Sequence, residues 1–247
     1  MAEESTAVYV YGIVPADVEV DDDAEGIGGN PVEVVRQGDI AALISPIEVR
    51  EAIGRPEDLS AHEGLLDAAA TEVPVLPLRF GAVLTSRDAV AEELLEDNHD
   101  EFAAALREME GRREYVVKGR FVEKAILRKI IEGNRDAAQL RDQIKGGDEV
   151  TTRDARMRLG EIVQQQVEAW RDKQTQSLVD DLKDRAVSVA PLPPTHDYDA
   201  VNVAFLVESE KADDFTGAVE KIAEEHSGLI EFRLLGPLAA YDFVVKG

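Results

Sequence analysis

The chain of 247 residues carries 51 acidic against 27 basic side chains, a net charge of −24, with 44% of its residues hydrophobic. That apolar content supports a buried core, whereas the charge argues against nucleic-acid and anionic-membrane surfaces, both of which demand a basic face. The absence of cysteine excludes disulfides, thiolate nucleophiles and thiolate metal sites.

The acid is dispersed rather than gathered in a tail, and nine Lys stand beside eighteen Arg. Such a surface suits concentrated salt, where screening cancels self-repulsion, so a halophilic source is expected, with an acidic protein of a high-GC bacterium as the alternative. The opening "MAEESTAVYVYGIV" places acids before its apolar run, without a cleavage pattern. No apolar stretch reaches the length of a membrane span, so a cytoplasmic protein is expected.

In chain order, "AVYVYGIV" (7–14) reads as a strand ending at Pro15. An acidic, glycine-rich loop (17–31) precedes two short strands in 31–45 that turn about "QGD". Residues 58–72 read as a helix capped by Ser60, with Leu65, Leu66 and Ala69 as its apolar stripe. An extended segment around "VLPLRFG" follows. A helix from Ser86 to Glu110 buries Val90, Leu94, Leu95, Phe102, Leu106 and Met109 at helical spacing. Gly111 closes it.

The second half begins with a strand over 112–121 and a helix over 123–132. The polar segment 132–151, with paired glycines, reads as an irregular, flexible insertion. Helical spacing returns over 152–185; then come strands at 186–192 and 200–208, a helix near 211–227 and a strand at 229–236. The order β-α-β-β-α-β is that of a ferredoxin-like fold. The fold class expected is therefore α+β in two domains. Residues 1–110 form the N-terminal one. Residues 111–247 form a modified ferredoxin-like domain with a long helical insertion.

Chemical motifs are wanting. His62, His99, His196 and His226 lack metal-ligand spacing, and His62 beside Glu63 reads as a surface pair. There is no G-x-S-x-G elbow, "GIGGN" lacks dinucleotide-loop spacing, and no phosphate loop occurs. Asp21, Asp23, Glu25 and Gly26 match the start of a calcium loop, but its twelfth position is Val32. No catalytic, cofactor or metal residue is assigned, and no enzyme is expected.

What stands out is "VLPLRFG" (75–81), where Pro77 and Arg79 interrupt an apolar run. If extended, Leu76, Leu78 and Phe80 share the core face and Arg79 points the other way. Arg79 either pairs with an acid to pin an edge strand or recognises a carboxylate or carbonyl of a partner; the residues alone favour the pair. Candidate partner-binding residues are Val75, Pro77, Arg79, Phe80 and Gly81.

Taken together, "YVYGIV", "AHEGLL" ahead of "VLPLRFG", and the C-terminal "FRLLGPLAAYDFV" resemble the gas vesicle protein F/L family in motif order across nearly the whole chain. The resemblance implies a non-enzymatic accessory protein of gas vesicle assembly. Its partners would be the small hydrophobic shell protein and other accessory proteins, with no cofactor, and a monomer in the cytoplasm or at the vesicle. The alternatives are a minor component of the shell itself and a small-ligand or enzymatic α+β domain.

Overall fold

The computed structural model describes residues 6–21, 23–48 and 53–244. It is a mixed α+β protein with two antiparallel sheets. The chain divides into two compact units: Met1–Glu114 with Glu208–Glu210 and Gly236–Gly247, and Tyr115–Val207 with Lys211–Leu235.

In the first unit, β1 (Thr6–Pro15) is central, with β3 (Ile40–Glu48) on one side and β2 (Glu33–Gln37) beyond it. β2 and β3 turn about Gly38, at φ 60°, as the "QGD" motif requires. On the other side of β1 lie two fragments, β4 (Leu76–Pro77) and β5 (Val83–Leu84). The β1–β3 register shifts between Val10 and Gly12, so Tyr11 is the extra residue of a bulge.

Helix α1 (Pro56–Glu72) packs on this sheet through Leu66 and Ala70. It starts before the expected cap: Pro56 fits the first helical position, and the Asp58 carboxylate accepts from the Gly54 and Arg55 amides. Ser60 lies inside the helix and donates to the Pro56 carbonyl. The single helix expected from Ser86 is broken as well. After α2 (Arg87–Ala89), capped by Ser86 Oγ, residues 90–96 form a wider π-type turn. Asn98 then leaves helical geometry before α3 (His99–Met109) begins.

The second unit contains β6 (Arg112–Phe121), α4 (Glu123–Gly133), α5 (Arg135–Lys145), α6 (Arg153–Leu182), β7 (Ser188–Pro191), β8 (Asp199–Glu208), α7 (Ala212–Glu225) and β9 (Ile230–Leu238), the ends of β6, β8 and β9 belonging to the first unit. Its strands are ordered β7-β8-β6-β9. Val201, Val203 and Phe205 of β8 meet Leu178 and Leu182 of α6 and Phe215 of α7 in one core. Much of the segment expected to be irregular (132–151) is the helix α5. Asn134 Oδ1 caps it by accepting from the Asp136 and Ala137 amides, and Ala137 is buried against α4 and α6. The polar composition described a solvated helix face, which the paired glycines obscured.

Gly12 explains the glycine of "YVYGIV". A Cβ there would stand 2.8 Å from the Leu76 carbonyl oxygen and 2.9 Å from Leu66 Cδ2, so β1, β4 and α1 close together only over a bare backbone. Gly12→Ala is expected to destabilise the protein by about 1–3 kcal/mol, read as a lower urea midpoint at unchanged m-value.

Candidate functional site

The three N-terminal motifs meet in one buried cluster. Tyr9 and Tyr11 come from β1, His62 from α1, and Phe80 and Gly81 from the segment joining β4 to β5. Tyr9 and Tyr11 are fully buried, and their rings meet edge-on at 4.9 Å. Each hydroxyl is used. Tyr11 Oη contacts Ser45 Oγ at 2.8 Å and accepts from the Ile27 amide, tying the acidic loop to the sheet.

Tyr9 Oη accepts from the Gly81 amide at 3.2 Å and contacts His62 Nδ1 at 2.9 Å. The consistent assignment has Tyr9 donating to Nδ1, which leaves the imidazole proton on Nε2. Nε2 lies near the Leu78 backbone without a well-formed hydrogen bond. His62, expected as a surface pair with Glu63, is instead 1% exposed. Burial lowers its pKa, against the Leu78 backbone, and the ring packs among Tyr9, Tyr11 and Phe80 as part of the core.

This cluster shapes "VLPLRFG". The ladder on β1 continues through Leu78, whose amide donates to the Tyr11 carbonyl, and resumes where the Val10 amide donates to Ala82. Between them Arg79–Ala82 is a turn closed by the Ala82 amide on the Arg79 carbonyl, with Gly81 at φ 93° in third position. The turn breaks the strict alternation the sequence suggested. Phe80 folds inward onto Tyr9 and His62. Arg79 is thrown outward: it is exposed and has no ion pair among the described residues, which corrects the paired arginine favoured from sequence. A guanidinium left in water has no desolvation cost to repay, so no pair is needed.

Arg79 stands at the rim of a groove of about 760 Å³ in the first unit. Leu76, Pro77, Leu78, Ala82 and Leu84 form one wall, along a strand edge that pairs with no other strand among the described residues. Leu94, Phe102 and Ala105 form the helical wall, with Asn98, Glu101 and Glu108 as its polar members. Tyr241 and Val244, from the C-terminal segment, complete the lining. Of the candidate residues, Pro77 and Arg79 line the groove; Val75 is buried in the core, and Phe80 and Gly81 build the turn.

Leu94, Phe102, Tyr241 and Val244 were missed as lining residues. Helical spacing places Leu94 and Phe102 in the core, whereas both are only half-buried. The widened turn over 90–96 and the break at Asn98 reset the helical phase, which periodicity alone does not show.

The C-terminal segment is held by carboxylates. Asp67 accepts from the Ala239 amide at 3.0 Å, and Glu114 accepts from the Asp242 amide at 3.0 Å. Glu114 is 1% exposed. Burial raises its pKa; the amide bond from Asp242 opposes this, while the Asp242 and Asp67 carboxylates add to it, and the result is pushed up to about 8. Burial and the neighbouring acids thus favour the neutral carboxyl over the carboxylate. Burial likewise raises the pKa of Asp67 and of Tyr241, whose hydroxyl has no hydrogen-bond partner among the described residues. No group of three or more His, Asp or Glu among the described residues is arranged to hold a metal ion.

The family model for the gas vesicle synthesis protein GvpL/GvpF matches residues 7–245. Gas vesicle protein F of Streptomyces sp. (strain CB03234) is 31% identical over 245 residues, covering 96% of this chain and 99% of that protein. Gas vesicle protein L of the same strain is 35% identical over 123 residues, 44% of this chain and 46% of that protein. The crystal structure of the gas vesicle protein GvpF from Anabaena sp. PCC7120 superposes with a TM-score of 0.78 at 25% identity, covering 98% of this chain and all (100%) of that one.

Two outcomes are expected of these contacts. Tyr9→Phe, which removes the bonds to Gly81 and His62, should cost about 1–3 kcal/mol and speed hydrogen exchange at the Gly81 and Ala82 amides. For Glu114 the native pKa is raised above the unfolded one, so its stabilisation is complete below the unfolded value and is lost as pH rises through about 8. Urea unfolding between pH 5 and pH 9 should show stability falling by up to about 1.4 kcal/mol per pH unit from this group, and Glu114→Gln should flatten that slope.

Proposed function

This chain belongs to the GvpL/GvpF family of gas vesicle synthesis proteins, and on that premise we propose that it is a non-enzymatic accessory protein of gas vesicle assembly that holds the hydrophobic shell protein in the groove beside Arg79. The observation that carries the reading is the groove itself. In a chain of net charge −24 it is an apolar concavity, one wall of which is a strand edge unpaired among the described residues. An apolar segment of the shell protein would bury its side chains against Leu78, Leu84 and Phe102. The strand edge offers it backbone partners, and Arg79 meets a carboxylate or carbonyl at the rim. The acidic exterior then keeps the loaded complex dispersed.

Other accessory proteins of the vesicle are proposed as further partners, with action in the cytoplasm and at the growing vesicle. No helix among the described residues is long and apolar enough to cross a membrane. We also read the chain as two domains with a boundary near Gly111, the second a ferredoxin-like fold with α5 and much of α6 as its insertion. The strand order β9-β6-β8-β7, reached through β-α-β-β-α-β connections, supports that reading.

The test is co-purification of the shell protein with wild type and with Leu78→Asp, Phe102→Asp and Arg79→Ala, each checked for native circular dichroism. Capture should fall at least tenfold for the two Asp variants and by a smaller factor for Arg79→Ala. Undiminished capture by folded Asp variants would move the site away from this groove. Stable retention of the protein on washed, mature vesicles would favour a component of the shell instead.

A further inference from the structure

An edge strand leaves a row of backbone N–H and C=O groups unpaired, and natural sheets blunt such edges by shortness, proline or side-chain cover. Three of the edges here are blunted in this way. β2 has five residues, and Arg87 covers it by pairing with Glu33 and donating to the Val34 carbonyl at 3.3 Å. β4 and β5 are two-residue fragments, and β7 has four residues and ends at Pro191. β9 differs. It closes the order β7-β8-β6-β9, runs for nine residues with Pro237 only near its far end, and has no strand on its outer side among the described residues.

The neighbouring strand fixes which backbone groups of β9 face outward. The Leu229 carbonyl accepts from the Val122 amide at 2.9 Å, on the β6 side. Backbone groups alternate along an antiparallel strand, so those of Glu231 and Arg233 also turn to β6, and those of Ile230, Phe232 and Leu234 turn to the free edge. The Ile230 amide already donates to the His226 carbonyl at 3.1 Å. The edge therefore offers the Phe232 and Leu234 amides and the carbonyls of all three residues.

Side chains divide the same stretch between two faces. Phe232 and Leu234 lie on the helical side, half-buried against the core of Phe205 and Phe215. Glu231 and Arg233 are exposed on the opposite side, and neither has an ion pair among the described residues. Arg233 shares that side with Lys118, a like charge, in the lining of a shallow pocket. Each of the two charges of β9 thus lacks a close counter-ion, and they differ in sign.

We propose that β9 pairs antiparallel with β9 of a second copy of the chain, about a two-fold axis at Phe232, so that the two four-stranded sheets continue as one. A two-fold contact sets each residue against the one equally far beyond the axis. Glu231 of either copy then faces Arg233 of the other, and Ile230 faces Leu234 on the helical side. The two Phe232 residues exchange both backbone bonds, and each Leu234 amide reaches the other Ile230 carbonyl. Both charge pairs fall at non-hydrogen-bonded positions, where side chains approach most closely. Moving the axis to Glu231 or Arg233 would set like charges face to face. The segment "IEFRL" (230–234) is therefore complementary to itself in this register, which selects a second copy as the occupant of the edge. The dimer replaces the monomer that the family resemblance implies. It rests on the second unit alone and does not depend on the shell-protein groove.

The test is sedimentation velocity of the full chain from about 1 to about 100 μM, a range that spans micromolar self-association. Wild type should show a concentration-dependent equilibrium between one chain and two. Glu231→Arg sets arginine against arginine across the axis, and Arg233→Glu sets glutamate against glutamate. Each alone should weaken the dimer at least tenfold. An equimolar mixture of these two variants brings opposite charges together at both positions and should restore a dimer with one chain of each. The double variant, Glu231→Arg with Arg233→Glu, should likewise restore its own dimer. These rescues separate lost pairing from lost folding. Three results would overturn the proposal. Wild type could sediment as one chain throughout the range, or associate in a way that neither reversal weakens. The third is association that the reversals weaken but neither the mixture nor the double variant restores, which places the contact elsewhere.

Discussion

The first unit depends on one buried hydroxyl. Tyr9 Oη holds the Gly81 amide on one side and His62 Nδ1 on the other, so a strand, a helix and an edge turn are fixed at a single atom. Because the turn is pinned from below, Phe80 fills the space over Tyr9 and His62, and Arg79 has nowhere to go but outward. The position of the arginine is thus a consequence of the core rather than of an ion pair. Gly12 belongs to the same constraint, since a bare backbone at that point lets Leu66 and Leu76 approach closely enough for the cluster to form.

The groove rests on a second, weaker constraint. Its strand wall is built from the motif turn, but Tyr241 and Val244 come from a segment far away in sequence, held by Asp67 and Glu114. Burial first, and then the nearby Asp242 and Asp67 carboxylates, hold the Glu114 pKa well above the usual carboxylate range. The lining of the groove and the protonation state of the acid cluster are therefore linked through one short piece of chain. Membership of the GvpL/GvpF family of gas vesicle synthesis proteins gives this geometry its biological setting.

Charge itself is organised more finely than the net value implies. Acidic side chains are in excess over the chain as a whole, yet one face of the second sheet brings Lys118, Arg120 and Arg233 together beside Asp199 and Glu231. Composition describes the average field, and it is on that average that the argument against nucleic acid rests. It carries no information about which strands lie side by side, and adjacency is what turns three scattered cations into a patch.

The sequence by itself determined the element types and their order, because periodicity and turn chemistry are local: β1 ahead of Pro15, the β2–β3 turn at Gly38, and the β-α-β-β-α-β run of the second half. Motif order also determined the family, and Pro77 correctly marked an edge. Helix α5, the break at Asn98 and the true cap of α1 were misjudged, since polar composition resembles both a loop and a solvated helix face. Only the tertiary structure decided the burial of His62, the freedom of Arg79, the return of Tyr241 and Val244 to the groove, and the raised pKa of Glu114. Each of these is set by what a residue touches across tens of positions in the chain, and a linear pattern records spacing but not contact.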